Sequence, residues 1–215
     1  GKPVLLANDA NAAALAEARV GAARGAKDAV MITLGTGVGG GIVTDGKIYT
    51  GFNGLAAELG HFVIQKDGVP CGCGRRGCFE AYASATALIR MTKEELDRCF
   101  VSGEGTLMAE SRKLNARVAF DAYRAGDAAA KRVIETYIGY LASGIASLIN
   151  IFQPEVLCVG GGISREGEAV MAPVRAYVGK YGYARGSAKQ PRIVAASLAG
   201  DAGIIGAALL GTEKK

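Results

Sequence analysis

The feature that most constrains this chain is a short loop, Cys71-Gly72-Cys73-Gly74-Arg75-Arg76-Gly77-Cys78, preceded by the single histidine of the sequence, His61. Three of the five cysteines fall in this one segment. Zinc takes tetrahedral nitrogen and sulfur ligands, and a structural site closes all four positions with protein, so His61, Cys71, Cys73 and Cys78 satisfy one ion. Gly72, Gly74 and Gly77 are placed to supply the tight, positive-φ turns that bring three thiolates to one centre. The plainer alternative, three reduced thiols beside a satisfied histidine, leaves a dense cluster of reactive groups with no metal to bind them. The spacing also differs from the paired C-x2-C of zinc ribbons and fingers.

Glu58 lies three residues before His61 and Glu80 two after Cys78, so fixing a metal also fixes two carboxylates beside it. An ionised carboxylate accepts hydrogen bonds from two adjacent hydroxyls, which suits a sugar. Zinc in that setting is a clamp rather than a Lewis acid. Two solvated glutamates are the bland alternative.

At 215 residues, half of them hydrophobic, with 32 glycines and no tryptophan, the chain has the composition of an α/β protein able to bury a full core. The net charge of +5 is spread without a basic helix or an aromatic-interleaved basic strip, which argues against nucleic acid as a partner. No apolar run is long enough for a membrane span, and no signal-peptide pattern opens the chain. Cys99 and Cys158 sit in apolar contexts as small buried hydrophobes. Reduced thiols with a thiolate metal site point to the cytoplasm.

Apolar patterning predicts strands over 4–7, 29–34, 42–43, 47–50, 62–64, 156–159 and 192–196. It predicts helices over 10–23, 79–90, 116–124, 127–152, about 164–181 and 202–210, and a Thr92/Glu95 capping box opening a further helix to 100. Ile134, Ile138, Leu141, Ile145 and Leu148 mark the core stripe of the longest helix. Asn8 and Asp9 lie where strand gives way to helix; one serves as N-cap, and a carboxylate there can also accept a proton from a substrate hydroxyl. The run Gly35-Thr36-Gly37-Val38-Gly39-Gly40-Gly41 exceeds what a hairpin turn requires, and its amides could form a nest for phosphate oxygens with the Thr36 hydroxyl as a further donor. It is neither a Walker A loop nor a dinucleotide fingerprint. Gly160-Gly161-Gly162 follows a strand and precedes a helix, where a nucleotide can approach backbone.

Together the segments Asn8-Asp9-Ala10-Asn11-Ala12-Ala13, Leu34 to Gly41, Glu58-Leu59-Gly60-His61, Cys71 to Glu80 and Val159-Gly160-Gly161-Gly162 resemble the ROK sugar kinases, most closely their glucokinases. The resemblance implies an actin-like, ribonuclease-H-like ATPase fold of α/β class. It implies Asp9 as catalytic base, and Asn8, Glu58, His61 and Glu80 as sugar ligands. Thr36, Gly37 and Gly160 to Gly162 would hold Mg-ATP, with structural zinc on the cysteine loop, glucose as acceptor, and a homodimer. By that likeness residues 1–25 are an inter-lobe segment, 26–200 a C-terminal kinase lobe with its zinc loop at 61–80, and 201–215 a helix packing on an N-terminal lobe that this sequence lacks. A lobe alone is expected to be a poor kinase. The rival expectations are the effector domain of a sugar-sensing ROK regulator, or a kinase for N-acetylmannosamine, N-acetylglucosamine or fructose.

Overall fold

The computed structural model describes residues 4–212. Five strands form one mixed sheet in the order β3-β2-β1-β4-β5, with β1 Ala29–Leu34, β2 Val38–Thr44, β3 Lys47–Ile48, β4 Val156–Gly161 and β5 Arg192–Ala195. β1 pairs antiparallel with β2 and parallel with β4, and β4 pairs parallel with β5. The helices are α1 Asp9–Val20, α2 Glu80–Ala83, α3 Ala85–Ser102, α4 Ala116–Arg124, α5 Ala128–Phe152, α6 Glu168–Tyr181 and α7 Ala202–Leu209. This is the α/β class expected from composition.

Strand alternation sorts the sheet into two faces. Val30, Ile32, Leu34, Ile42, Leu157, Val159 and Ile193 join the larger core with α3 to α6. Ala29, Met31, Val43, Val156 and Cys158 join a second, alanine-rich core with α1 and α7. The predicted stripe of α5 is buried along its whole length, Ile134, Ile138, Leu141, Ile145 and Leu148 each turned inward. Full burial of such a side chain contributes about 1.5–3 kcal/mol. Asp127 caps this helix, its carboxylate accepting the Ala130 and Leu107 N–H groups, and those bonds hold its carboxyl below the usual range against the opposing effect of burial. Cys99 and Cys158 are buried as expected, and burial pushes the Cys158 thiol up to about 12.

Several boundaries differ from the sequence expectation. Residues 4–7 form no strand; Val4, Leu5 and Leu6 are exposed, and no strand among the described residues lies alongside to pair with them. The 62–64 segment makes a single bridge, Val63 to Cys78, and the strand expected over 47–50 shortens to β3. The helix expected over 79–90 breaks at Ser84, whose hydroxyl accepts the Ala87 N–H and starts α3. Thr92 is therefore no cap: it is buried inside α3 and its hydroxyl donates to Leu88 C=O at 2.8 Å, while Glu95 pairs with Arg98 and Arg132. The helix expected from residue 164 is a 3-10 turn, Ile163–Glu166, then α6 after Gly167.

The glycines of β2 also have a packing role that the sequence reading assigned to phosphate. Gly39, Gly40 and Gly41 lie within the strand. A Cβ at Gly40 would come within 2.5 Å of Leu59, and one at Gly41 within 2.5 Å of the Ala14 side chain and 2.8 Å of the Ala10 carbonyl. Small residues here let α1 approach the sheet. α7 in turn packs on α1, with Gly206 against the Ala12 carbonyl, and leaves Ile204 exposed. Gly41→Ala is expected to destabilise the fold by about 1–3 kcal/mol through overpacking. Gly139→Ala, in α5 with nothing within 4 Å of the added carbon, is expected to stabilise by about 0.5–1 kcal/mol. Urea midpoints of the two variants check both signs.

Candidate active site and metal centre

The cysteine loop closes as the sequence predicts. Cys71 N–H donates to Arg75 C=O at 2.8 Å and Gly74 N–H returns to Cys71 C=O at 3.0 Å. Gly77 N–H donates to Val69 C=O, and Gly77 C=O accepts from Ile64. Gly74 and Gly77 have φ of 87° and 80°. At Gly77 a Cβ would lie 1.7 Å from the Gln65 carbonyl, so no other residue fits. Gly72, expected to share this conformation, has ordinary φ and faces open space.

The loop brings the His61 imidazole and the Sγ atoms of Cys71, Cys73 and Cys78 within 4.8 Å of one another. Cys71 Sγ lies 3.6 Å from His61 Nδ1, and Cys73 Sγ 3.6 Å from Cys78 Sγ. A tetrahedron of one nitrogen and three sulfurs with metal bonds of about 2.0–2.3 Å has edges of about 3.5–3.8 Å, so the two 3.6 Å contacts match such edges and the donor set fits zinc in number and type. Burial, together with the neighbouring thiols, pushes Cys78 up to about 12, and burial also raises Cys71. The Arg75 N–H lowers Cys73. Three thiolates therefore need a cation to coexist at neutral pH, which a metal would supply.

Glu80 connects this loop to the glycine turn. Its N–H donates to Gly60 C=O at 2.8 Å, within the Glu58-Leu59-Gly60-His61 segment. Its Oε2 accepts the Val38 N–H at 2.9 Å, and the Cys71 thiol donates to its Oε1 at 3.6 Å. The turn is held from the other side by Ala85 N–H to Gly35 C=O at 2.8 Å and by the Thr86 hydroxyl to Thr36 C=O at 2.7 Å. α2 is itself fixed from beneath, since the buried Tyr137 hydroxyl donates to Ala83 C=O at 2.7 Å.

Three cavities run along this edge. One of about 180 Å³ is lined by Thr36, Cys71, Glu80, Ser84 and Arg90. The next, about 450 Å³, shares Thr36 and adds Gly35, Asn115, Arg117, Gly162 and Arg165. A third of about 210 Å³ shares Gly162 and adds Gly160, Gly161, Ala196, Ala199 and Gly200. The two glycine stretches meet because β1 and β4 are neighbouring parallel strands in register, Thr33 opposite Gly160 and Leu34 opposite Gly161. Ligands of α/β sheets gather at such carboxyl ends. Asn115, Arg117 and Arg165 escaped the sequence reading; Asn115 lies just before the helix expected over 116–124, and its visible signal is that of the α4 N-cap.

Asn8 is the N-cap of α1, its Oδ1 accepting the Ala10 and Asn11 N–H groups at 2.8 and 3.3 Å. Asp9 occupies the first turn with an exposed side chain whose Oδ1 accepts the Ala10 N–H. The capping side chain is thus that of Asn8, and the Asp9 carboxylate stays exposed beside it. α1 sets them beside the glycine run, since Ala10 abuts Gly39 and Gly41. Glu58 is exposed and contributes its carbonyl to the His61 N–H at 3.0 Å. Asn11, also unforeseen, is buried with its Oδ1 lacking a hydrogen-bond partner, and it lines a cavity of about 530 Å³ with Asn8, Thr50 and Gly54.

A model described as the ROK family matches residues 1–214. The glucokinase of Thermotoga maritima is 44% identical over all of this chain and 67% of its own length. The ROK family glucokinase of Streptomyces griseus, solved with glucose and AMPPNP, superposes with a TM-score of 0.84 at 39% identity, over 97% of this chain and 68% of that one. A ROK family transcriptional regulator, homologous to the E. coli MLC protein, superposes at 0.83 and 30% identity, over 98% of this chain and 52% of its own. The chain spans about two thirds of the glucokinases it matches. The mixed sheet, the order of its strands and these likenesses give it the actin- and hexokinase-like ATPase fold, and the chain belongs to the ROK family.

Proposed function

We propose that this chain carries the catalytic machinery of an ATP-dependent glucokinase, transferring the γ-phosphoryl group of ATP to the 6-hydroxyl of glucose. The observation that carries this reading is the shared wall of the cavities: Thr36 stands between the Glu80 side and the glycine turn at Gly162. A phosphoryl group held at Thr36-Gly37 is then reachable from a sugar held at Glu80. The glucokinase relatives of similar sequence support the same acceptor.

In this mechanism Asn8, Glu58, His61 and Glu80 take the sugar hydroxyls. Asp9 accepts the proton of the 6-hydroxyl as its oxygen bonds to phosphorus; the bond from phosphorus to the β-phosphate oxygen breaks, and ADP leaves. Phosphoryl transfer asks the protein mainly for positioning and charge stabilisation. The backbone amides at Thr36-Gly37 and Gly160 to Gly162 face the nucleotide, which brings its own Mg(II). Zinc held by His61, Cys71, Cys73 and Cys78 would cross-link the loop and take no part in the chemistry. His61 Nδ1 lies 3.6 Å from Cys71 Sγ, and with Nδ1 on the metal Nε2 would be left for a hydroxyl. Five cysteines outside any disulfide suit a reducing, cytoplasmic setting. The regulator likeness supports a second reading, a sugar-sensing effector domain. The exposed Asp9 carboxylate and the two converging glycine turns favour the kinase.

Asp9→Asn in the full-length protein should lower ADP release with glucose by about 10²- to 10⁴-fold, the usual contribution of a general base, with glucose affinity nearly unchanged. Turnover equal to the parent would remove Asp9 from the mechanism. Metal analysis should find one zinc per chain. Chelation or Cys73→Ser should lower both the unfolding midpoint and glucose affinity, because the metal's binding energy is also folding energy. Glucose binding that survives verified metal removal would contradict the clamp.

A further inference from the structure

Glu17 is the only charged side chain buried among the described residues, 1% exposed near the end of α1. A buried carboxylate is tolerated only when its oxygens are satisfied. Here three neutral donors do so. Ala22 N–H reaches Oε2 at 2.7 Å, the Ser197 hydroxyl reaches Oε2 at 3.1 Å, and Leu198 N–H reaches Oε1 at 2.8 Å. The first bond closes the turn after α1. The other two cross to a segment 180 residues away, between β5 and α7.

That segment is one wall of the 210 Å³ cavity. Ala196, Ala199 and Gly200 face Gly160, Gly161 and Gly162 across it. Ala196 N–H still pairs with Val159 C=O at 2.9 Å, so the wall leaves the sheet immediately after it. Ala199 then adopts φ of 48°, a left-handed conformation that a non-glycine residue holds only when its neighbours are fixed. The bond just before it, at Leu198, ends on Glu17. Ala196 and Leu198 pack against the alanine-rich core, while Ala199 and Gly200 bring little side chain of their own, so the charge-assisted bonds from Ser197 and Leu198 to Glu17 add the directional hold on this wall.

We propose that Glu17 is a positioning residue for the nucleotide: it holds the wall at 196–200 at the spacing from Gly160 to Gly162 that admits the ligand, without touching it. The inference rests on assigning this cavity to ATP. The competing role is purely structural, pinning the start of α7 to α1, and it would change stability alone.

ADP binding by calorimetry on the full-length protein, together with glucose affinity, zinc content and thermal midpoint, separates these roles. Glu17→Gln keeps the shape and loses the charge that all three donors share. It should weaken ADP about tenfold, the effect expected of hydrogen bonds to a charged group, with glucose affinity and zinc content unchanged. Ser197→Ala removes one of the two bonds from this segment to Glu17 and should weaken ADP less, by about threefold. Glu17→Gln that lowers the midpoint yet binds ADP as tightly as the parent overturns the proposal. If Glu17→Gln does not fold, unchanged ADP affinity in Ser197→Ala overturns it. Absence of ADP binding by the parent protein overturns the nucleotide assignment itself, a different failure.

Discussion

The Glu80 carboxylate, bonded to the Val38 N–H at 2.9 Å and facing Cys71 at 3.6 Å, is the constraint that ties the two halves of the candidate site together. It joins a loop whose shape a metal can fix to a turn whose amides can face phosphate. Neither part would hold this geometry alone. The turn has no side chain to pack at Gly35 or Gly37, and the loop closes over Gly74 and Gly77. Position comes from beneath: Phe79 is buried against Gly144 of α5, and Tyr137 ties the end of α2. The long α5 is therefore a floor for the site as well as the centre of the core.

The side of the site to which we assign the nucleotide follows from the sheet. Parallel pairing of β1 with β4 sets two glycine stretches side by side at one edge, more than 120 residues apart in sequence, by the register Leu34 opposite Gly161. The alternating faces of β2 extend the same logic. Val38 and Ile42 feed the larger core, while Gly39 and Gly41 let α1 come close enough to present Asn8 and Asp9.

Parts of this were legible because a local pattern had one physical solution. Four soft ligands on a glycine-rich loop have one way to be satisfied together, and the α5 stripe has one face to bury. The segments that failed were decided by partners elsewhere. Residues 4–7 are apolar and β-prone but have no neighbouring strand among the described residues. Ser84 breaks a good helical run because Ala85 N–H is needed by Gly35 C=O and the Ser84 hydroxyl can start a new helix. Thr92 and Glu95 matched a capping box, yet α3 passes straight through them, with Glu95 held low by Arg98 and Arg132. The glycines of β2 looked like a phosphate nest because sequence cannot show Ala14 and Leu59 lying against them. Glu17 gave no sign at all, since a glutamate in an alanine-rich helix is ordinarily solvated.

The most direct test of this account is hydrogen exchange at the Val38 amide, compared in zinc-loaded and zinc-stripped protein. If the metal loop positions the turn through Glu80, stripping the metal should speed exchange at Val38 by about tenfold or more, while Ile32 and Val159 in the central strands keep their protection. Val38 exchange that is unchanged by metal removal would contradict the coupling between the two halves of the site.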